Sequence, residues 1–453
     1  MQQQFQMMKD FPESAVDIAG LVGSGTIGVG DALARSMHRV ERENSKLNAI
    51  IRLNTRAAEE VDRVQRRLYA GEVLALAGVP VVIKDNLWVA GMTITQGAQL
   101  FADFVAPQDA VAVVRLRAAG AIILGIGATS EFACMGVTNT ALYGMTRNPI
   151  DPALTPGGSS GGPSAAVAAG FAPLALGTDA GGSTRRPPAH VGVIGFKPGQ
   201  DVVPYGPGFD EPVWGISVVC PIARNMQDIV LAMQVLSGMT VAAQSRRSAL
   251  AYAQHFGLDQ PLDADVARVT DMAVNRLRRA GYLVESAAPV WPAGSGRADV
   301  APLQWAGLAA LYGDAFRRDP SQFGEGIADQ ITRGLGLSGV EVAQAHQASH
   351  RMGDALRAFL VQHPFVMTPT TPCPAWPVED MAPKIIGGLP ATPRDHAAFT
   401  PQANHAGSPA ISLPCGNTGS GLPLGLQIMA APGTDAALLA LAQDMAPILA
   451  GQG

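Results

Sequence analysis

The chain alternates between segments with the hydrophobic pattern of helices and segments with that of buried strands. The run Val79 to Ile83 is apolar and mostly β-branched, which is typical of a strand buried on both faces, and Lys84 follows it. Residues 109–119 then show helical spacing, and residues 121–125 form a second apolar run. This order predicts an α/β fold with a large, mixed, mostly parallel β-sheet covered by helices on both faces.

The same patterns extend along the rest of the chain. Further helices are predicted within residues 29–70, 164–169, 225–237 and 264–280, and further strands at 172–177, 191–199, 282–285, 365–372, 409–414 and 425–430. Residues 200–216 are rich in proline and glycine and are predicted to form a long ordered loop. Because no interdomain linker is evident, residues 1–453 are predicted to form one domain. Its segments are a helical N-terminus (1–70), a core (71–225), a more variable region expected to form the substrate pocket (226–365) and a return to the core sheet (366–453).

Composition and charge exclude several classes of protein. Of 453 residues, 47% are hydrophobic and 15% are charged, which indicates a large buried core rather than disorder. The net charge is −5 and there are no long runs of one sign, so the sequence shows no basic patch of the kind that binds nucleic acid or an anionic membrane. The four cysteines are far apart, so neither a disulfide framework nor a zinc site is expected. We find no signal-peptide pattern and no apolar run long enough for a membrane span, so a cytoplasmic protein is expected.

Two short motifs are only weak indicators of a cofactor or metal site. Residues 23–28 match G-x-G-x-x-G, but Asn54 stands where a dinucleotide site would have an acidic residue after the following strand. His346 and His350 are spaced to share a metal on one helix face, but no third ligand is evident. Neither a metal nor an organic cofactor is therefore expected.

Residues 155–188 contain two serines with glycine neighbours, Ser159 and Ser183. Glycine–serine tracts are often flexible linkers. Here, however, small helix-compatible residues follow Ser159, and a strand-like apolar run comes next. A helix of about nine residues rises about 13 Å, and about five extended residues return about 16 Å. The two serines can therefore finish close together.

The residues before Ser183 suit a site for negative charge. The run D-A-G-G at 179–182 permits a tight turn whose backbone N–H groups converge on a developing oxyanion. A serine beside such a turn needs a base, because a hydroxyl is a poor nucleophile at its free pKa. His190 is the nearest histidine, while Lys84, at the end of a buried strand, can be desolvated enough to stay neutral. Both are candidates for the base.

With these residues the chain resembles the amidase signature family, whose members use a Ser–Ser–Lys triad. The matching segments, in chain order, are G-V-P-V-V-I-K-D-N (78–86), G-A-x-x-L-G (120–125), Y-G-x-T-R-N-P (143–149), P-G-G-S-S-G-G (156–162), L-G-T-D-x-G-G-S-x-R-x-P (176–187) and G-x-x-G-F-K-P (192–198). Weaker matches continue at 220–224, 368–372, 409–414 and 421–427. The resemblance covers nearly the whole chain and implies the amidase signature fold.

The resemblance implies a role for each matching residue. Ser183 would be the acylating nucleophile, Ser159 the bridging serine after a cis peptide bond, and Lys84 the base. The remaining roles are an oxyanion hole formed by the backbone N–H groups of Ala180, Gly181 and Gly182, and a brace around the nucleophile loop formed by Ser160, Thr178, Asp179 and Arg185.

The implied activity is hydrolysis of the C–N bond of a linear, non-peptide amide without any metal or cofactor. The proline- and arginine-rich segment after Ser183 and the loop at 200–216 depart from the family pattern and argue against the glutamine-using subunit of the tRNA amidotransferase. We therefore expect a stand-alone hydrolase, monomeric or homodimeric, of uncharged small amides such as aryl amides (anilides) or carbamates (urethanes), with esterase side activity. The expected pocket residues are Met135, Gly136, Tyr205, Trp214 and Trp305.

Two other readings compete with this one. Residues 157–161 also satisfy G-x-S-x-G, the nucleophile motif of Ser-His-Asp esterases of the α/β-hydrolase type. That motif should follow a strand and should have a catalytic histidine downstream in the sequence. Here it follows a proline-rich segment instead. An inactive amidase-like binding subunit is the second reading, and the retention of all three polar residues of the triad counts against it.

Overall fold

The computed structural model describes residues 13–241 and 249–451. Its helices are α1 (Ala15–Gly23), α2 (Asp31–Leu47), α3 (Ala57–Tyr69), α4 (Val111–Ala118), α5 (Gly161–Ala168), α6 (Arg186–Val191), α7 (Met226–Ser237), α8 (Ala264–Arg279), α9 (Arg297–Arg318), α10 (Glu325–Leu335), α11 (Gly339–Gln362), α12 (Pro401–His405) and α13 (Asp435–Leu449). Within the described residues, no helix combines the length and apolar character needed to cross a bilayer.

An 11-stranded sheet runs through the molecule. Its strands are β1 (Ile50–Leu53), β2 (Pro80–Lys84), β3 (Ile122–Gly127), β6 (Leu174–Asp179), β7 (Ile194–Lys197), β8 (Val218–Ala223), β9 (Leu250–Tyr252), β10 (Val284–Ser286), β11 (Phe365–Pro369), β14 (Ala410–Asn417) and β15 (Pro423–Ala430). Their order across the sheet is β1-β3-β2-β6-β8-β7-β14-β15-β11-β9-β10. Two small hairpins pair β4 (Asn139–Thr140) with β5 (Gly144–Met145), and β12 (Ile385–Ile386) with β13 (Leu389–Pro390).

The mixed α/β architecture predicted from the sequence is confirmed, but the sheet is not mostly parallel. Among the described strands, six of its ten adjacent pairings are antiparallel and four are parallel. The short connection from β14 to β15 allows only a hairpin, and hairpins are antiparallel. The N-terminal segment predicted to be helical also contains β1, which pairs antiparallel with β3.

Two parallel strands place the polar residues of the site. Strands β2 and β6 are buried along their whole length and pair in parallel, with Ile83 opposite Leu176. Their carboxyl ends therefore lie at the same edge of the sheet, and Lys84 and Thr178 lie side by side there.

Helix α5 packs directly against this edge. It is built from small residues, and Gly162 in its first turn lies against the backbone after β3. A Cβ atom at Gly162 would lie 2.2 Å from the backbone nitrogen of Ala128, so only glycine fits there. This close approach places Ser159, just before the helix, next to the ends of β2 and β6.

Candidate active site

Lys84, Ser159 and Thr178 meet at the carboxyl ends of the two central strands. The side-chain nitrogen Nζ of Lys84 donates to Ser159 Oγ at 2.8 Å and to Thr178 Oγ1 at 2.9 Å. The Lys84 side chain is completely buried, and Asn86 Nδ2 also donates to Thr178 Oγ1, at 2.9 Å. The fold thus brings together residues that are 75 and 94 positions apart in the sequence.

Burial changes the acid–base behaviour of Lys84. Desolvation lowers the pKa of Lys84 to about 7, although the negative charge of Asp179 nearby opposes this shift. A base works best when its pKa lies near the operating pH. The amine can therefore accept and return a proton at neutral pH.

The Ser159 backbone is held from several sides. The peptide bond between Gly158 and Ser159 is cis, as the resemblance implied. The Ser159 carbonyl accepts from Thr129 Oγ1 at 3.2 Å and from Thr138 Oγ1 at 3.3 Å. These contacts hold Ser159 in the position from which its hydroxyl accepts the Lys84 hydrogen bond.

Ser160 connects the two serine segments. Its backbone N–H donates to the Ser183 carbonyl at 3.3 Å, and its hydroxyl donates to the Thr178 carbonyl at 3.3 Å. The serine next to Ser159 is thereby tied to both β6 and the predicted nucleophile.

Ser183 and Ser159 line the same cavity. The Ser183 hydroxyl makes no hydrogen bond to another described residue, so the predicted link from Ser183 to Ser159 is not a hydrogen bond in this structure. Catalytic hydrogen bonds are often loose without substrate and tighten when it binds.

The loop before Ser183 differs in one detail from the predicted oxyanion hole. The Gly182 N–H donates to Asp179 Oδ1 at 2.7 Å and is therefore engaged. The N–H groups of Ala180 and Gly181 make no hydrogen bond within the described part of the chain. Gly182 has a φ of +113°, and the Thr400 hydroxyl donates to the Gly181 carbonyl at 2.7 Å, which holds the turn open. Two free donors remain where three were expected.

Asp179 and Arg185 form a buried ion pair behind this loop. Arg185 donates to both carboxylate oxygens, through Nη2 at 2.8 Å and Nε at 3.0 Å, and both side chains are completely buried. Burial by itself would raise the pKa of Asp179, but the Arg185 charge more than offsets it and holds the pKa well below its usual range. The carboxylate stays ionised and keeps its hold on the Gly182 N–H.

Three residues of this brace were not found from the sequence. Arg185 also donates to the Thr400 carbonyl at 2.7 Å, to Gln427 Oε1 at 2.6 Å and to Asn404 Oδ1 at 2.6 Å. No local motif marks these residues. They reach Arg185 only because α12 and β15 fold against the nucleophile loop.

Replacing Arg185 with methionine should destabilise the fold strongly. The change leaves the Asp179 carboxylate buried without its cation, which typically costs about 3–5 kcal/mol. Chemical denaturation measures the free energy of unfolding. The matched control is Arg268→Met, which removes an exposed pair with Asp265 and should cost less than about 1 kcal/mol. Equal losses in the two variants would contradict the bracing role.

Three of the five expected pocket residues line the cavity, which encloses about 400 Å³. These are Met135, Tyr205 and Trp305. The expectation was wrong for Trp214 and Gly136. Trp214 is half exposed and is not among the lining residues, and its indole nitrogen donates to the Leu303 carbonyl at 2.7 Å. A Cβ at Gly136 would lie 2.2 Å from His396 Nε2, so this glycine faces the histidine.

Charged side chains in the cavity wall were also missed. Arg186, Arg297 and Arg394 contribute positive charge, and Asp210 and Glu211 contribute carboxyl groups from the long loop. Arg186 lies in the basic segment after the nucleophile, and Asp210 and Glu211 lie in the loop at 200–216, two segments that stood out in the sequence. Arg297 and Arg394 lie in no such segment.

The histidines do not form the base of a Ser-His-Asp site. His190 is buried outside the cavity lining, edge-on to Trp376 at 5.4 Å, and burial followed by the Arg186 charge lowers its pKa to about 3. His405 does line the cavity, but its Nδ1 is hydrogen-bonded to Ser349 Oγ at 2.7 Å, and burial lowers its pKa to about 4. Lys84, by contrast, contacts Ser159, a serine of the cavity lining.

Within residues 13–241 and 249–451, no three His, Cys, Asp or Glu side chains form a group that could hold a metal ion. His346, which the sequence suggested as half of a metal pair, packs edge-on against the Trp214 ring at 5.0 Å.

Comparison with known proteins shows the family of this chain. Residues 31–439 match the family model described as Amidase. The chain is 31% identical to a glutamyl-tRNA(Gln) amidotransferase subunit from Deinococcus radiodurans, over 95% of this chain and 96% of that protein. It is 32% identical to an acylamidase of Rhodococcus erythropolis, over 95% of this chain and 94% of that protein.

A solved structure is similar over the same extent. The substrate complex of 6-aminohexanoate cyclic dimer hydrolase superposes with a TM-score of 0.82 at 25% identity, covering 96% of this chain and 97% of that one. With the family model spanning most of the sequence, the chain belongs to the amidase signature family and is an amide-hydrolysing enzyme.

Proposed function

We propose that this enzyme hydrolyses the C–N bond of a small-molecule amide through an acyl-enzyme on Ser183. The observation that carries the proposal is the hydrogen bond from the buried Lys84 amine to Ser159 Oγ, in a cavity that Ser183 also lines. A lysine with a pKa near 7 in contact with a serine supplies the base that a second serine needs.

In the proposed first step, Ser183 Oγ attacks the amide carbonyl. Its proton passes to Ser159 Oγ while the Ser159 proton passes to the neutral Lys84 amine. The same path then returns a proton to the nitrogen of the substrate, so the C–N bond breaks with a neutral amine as the leaving group. Water attacks the resulting ester, and the acid and free Ser183 are restored.

The N–H groups of Ala180 and Gly181 are proposed to hold the oxyanion of the tetrahedral intermediates. Each such donor is typically worth about 3–4 kcal/mol of transition-state stabilisation. The bond from Thr400 to the Gly181 carbonyl supports this role, since it fixes the turn in advance.

We further propose aryl amides and carbamates as the first substrates to test, with esters as a side reaction. The lining residues Met135, Tyr205 and Trp305 support a flat apolar group on one side of the reacting carbonyl. The acylamidase among the relatives points in the same direction.

A second candidate is an amide-donating subunit like the amidotransferase relative at similar identity. The basic segment after Ser183 and the long loop at 200–216 depart from the pattern of that subunit, which favours the stand-alone enzyme. The isolated chain should therefore hydrolyse amides without any added partner.

The decisive experiment profiles the purified protein on aliphatic amides, anilides, aryl carbamates and esters. Mass spectrometry of a rapidly quenched reaction should show the acyl mass on the peptide that contains Ser183. Turnover of amides with an acyl group on another residue, or with none, would reject the proposed mechanism.

A further inference from the structure

Arg186 lies beside the nucleophile, three residues after Ser183. Its backbone N–H donates to the Gly182 carbonyl at 2.8 Å, and its side chain folds back over the same glycine. A Cβ atom placed on Gly182 would be 2.7 Å from Arg186 Nε. The guanidinium therefore lies in the cavity wall next to the residue that precedes the nucleophile.

The guanidinium of Arg186 has no partner in the described part of the chain. The residue is only 4% exposed, yet its Nε and Nη1 atoms make no hydrogen bond. The adjacent Arg185, by contrast, donates to Asp179, Thr400, Asn404 and Gln427. Arginines that serve only to hold a fold are paired in this way, since an unpaired buried charge is costly.

Arg186 keeps its positive charge at neutral pH. Burial lowers its pKa to about 9, with the Asp179 carboxylate opposing the shift. Asp179 itself is bound to Arg185 rather than to Arg186. Arg186 therefore has no ion-pair partner among the described residues, and it lines the cavity with its charge retained.

Three of the other four charged groups of the wall are already engaged. Arg297 pairs with Asp395 at 2.5 Å, and Arg394 donates to the Cys134 carbonyl at 3.0 Å. Glu211 accepts from the Gly215 N–H, and burial raises its pKa to about 7. Neither Glu211 nor Asp210 is hydrogen-bonded to Arg186. The part of the wall next to Ser183 is thus cationic.

We propose that the substrate of this enzyme carries an anionic group, a carboxylate in the first instance, that Arg186 binds while Ser183 attacks the amide carbonyl. The Nε and Nη1 atoms are buried as well as unpaired, so the carboxylate is proposed to bind at the edge of the guanidinium that reaches the cavity. A planar guanidinium suits a carboxylate and can hold it by more than one hydrogen bond. This inference rests on the proposed amide hydrolysis and replaces the sequence-based expectation of an uncharged substrate. Arg186 is then the residue that sets specificity.

The test compares half-amides of straight-chain dicarboxylic acids, of increasing length, with the corresponding uncharged diamides. The wild-type enzyme should show a kcat/KM at least about tenfold higher for the best half-amide than for its diamide. Arg186→Gln should reduce this ratio about tenfold or more, and Arg186→Lys should restore part of it because the charge returns. Arg186→Met serves if the glutamine variant does not fold.

Binding gives a readout that does not depend on turnover. In the Ser183→Ala background, calorimetry should show tighter binding of the half-amide than of the diamide, and the added Arg186→Gln change should remove the difference.

Acylation of Ser183 by diamides with no preference for the half-amides would overturn the inference and leave the proposed function standing. Conversely, a half-amide preference that depends on Arg186, without any acyl group on Ser183, would reject the mechanism and keep the anion site. Equal binding of both ligands, or of neither, also overturns the inference.

Discussion

Replacing Ser183 with alanine is expected to lower kcat for amide hydrolysis by about 10⁴-fold or more. Loss of a serine nucleophile removes the covalent intermediate, and only binding and oxyanion stabilisation remain. The thermal unfolding midpoint should hardly change, because the Ser183 hydroxyl makes no hydrogen bond to another described residue. Steady-state kinetics and a melting curve on the same preparation measure both quantities.

The chain offers a matched control for this substitution. Ser164 lies in α5, buried a short distance from Ser159, and its hydroxyl has no hydrogen-bond partner in the described residues. Ser164→Ala removes a buried serine hydroxyl without touching the cavity lining, so its kcat should match that of the wild type. Substantial amide turnover in Ser183→Ala would mean that another group attacks the carbonyl.

The second large effect concerns Lys84 and pH. Only the neutral amine can accept the proton, and burial lowers the pKa of Lys84 to about 7. Activity should therefore be low below this pKa, rise as pH passes through about 7, and level off above it. Lys84→Met should reduce kcat/KM by about 10²–10⁴-fold. Lys84→Arg should be as inactive at every pH, because a guanidinium keeps its proton.

Lys197 provides the control for this pH dependence. It is the other completely buried lysine of the described chain, it donates to the Pro198 carbonyl at 2.8 Å, and burial lowers its pKa to about 8. It does not line the cavity. Lys197→Met should keep the inflection near pH 7 in whatever active enzyme is recovered. An inflection that disappears in this variant would assign the titration to Lys197 instead of Lys84.

Two neighbouring arginines on the nucleophile loop have different roles: Arg185 stabilises the loop, and Arg186 is proposed to set substrate specificity. Asp179 and Arg185 hold the turn before Ser183 through contacts that are completely buried. Arg186, one residue further on, has no such contact and faces the cavity. Substitution of Arg185 should therefore appear mainly in stability, and substitution of Arg186 mainly in the choice of substrate.

The sequence by itself determined the elements that carry the site. A β-branched run followed by Lys84 specified a buried strand with a lysine at its end, since local apolar runs of this kind form strands in any buried sheet. The small residues after Ser159 specified a helix that can approach the sheet closely. The order of the motifs identified the reaction class through the family resemblance.

Only the tertiary structure decided which groups stand around those elements. Thr400, Asn404 and Gln427 meet Arg185 from 215, 219 and 242 residues away, and no local periodicity encodes such a meeting. The position of Trp214 likewise depends on a distant partner, because its indole nitrogen donates to the Leu303 carbonyl, 89 residues away in α9. The local hydrophobic pattern of the sequence predicts whether a residue is buried. The order of the strands and the packing of the loops decide which residues it contacts there. For that reason the unpaired charge of Arg186 became visible only in the folded chain.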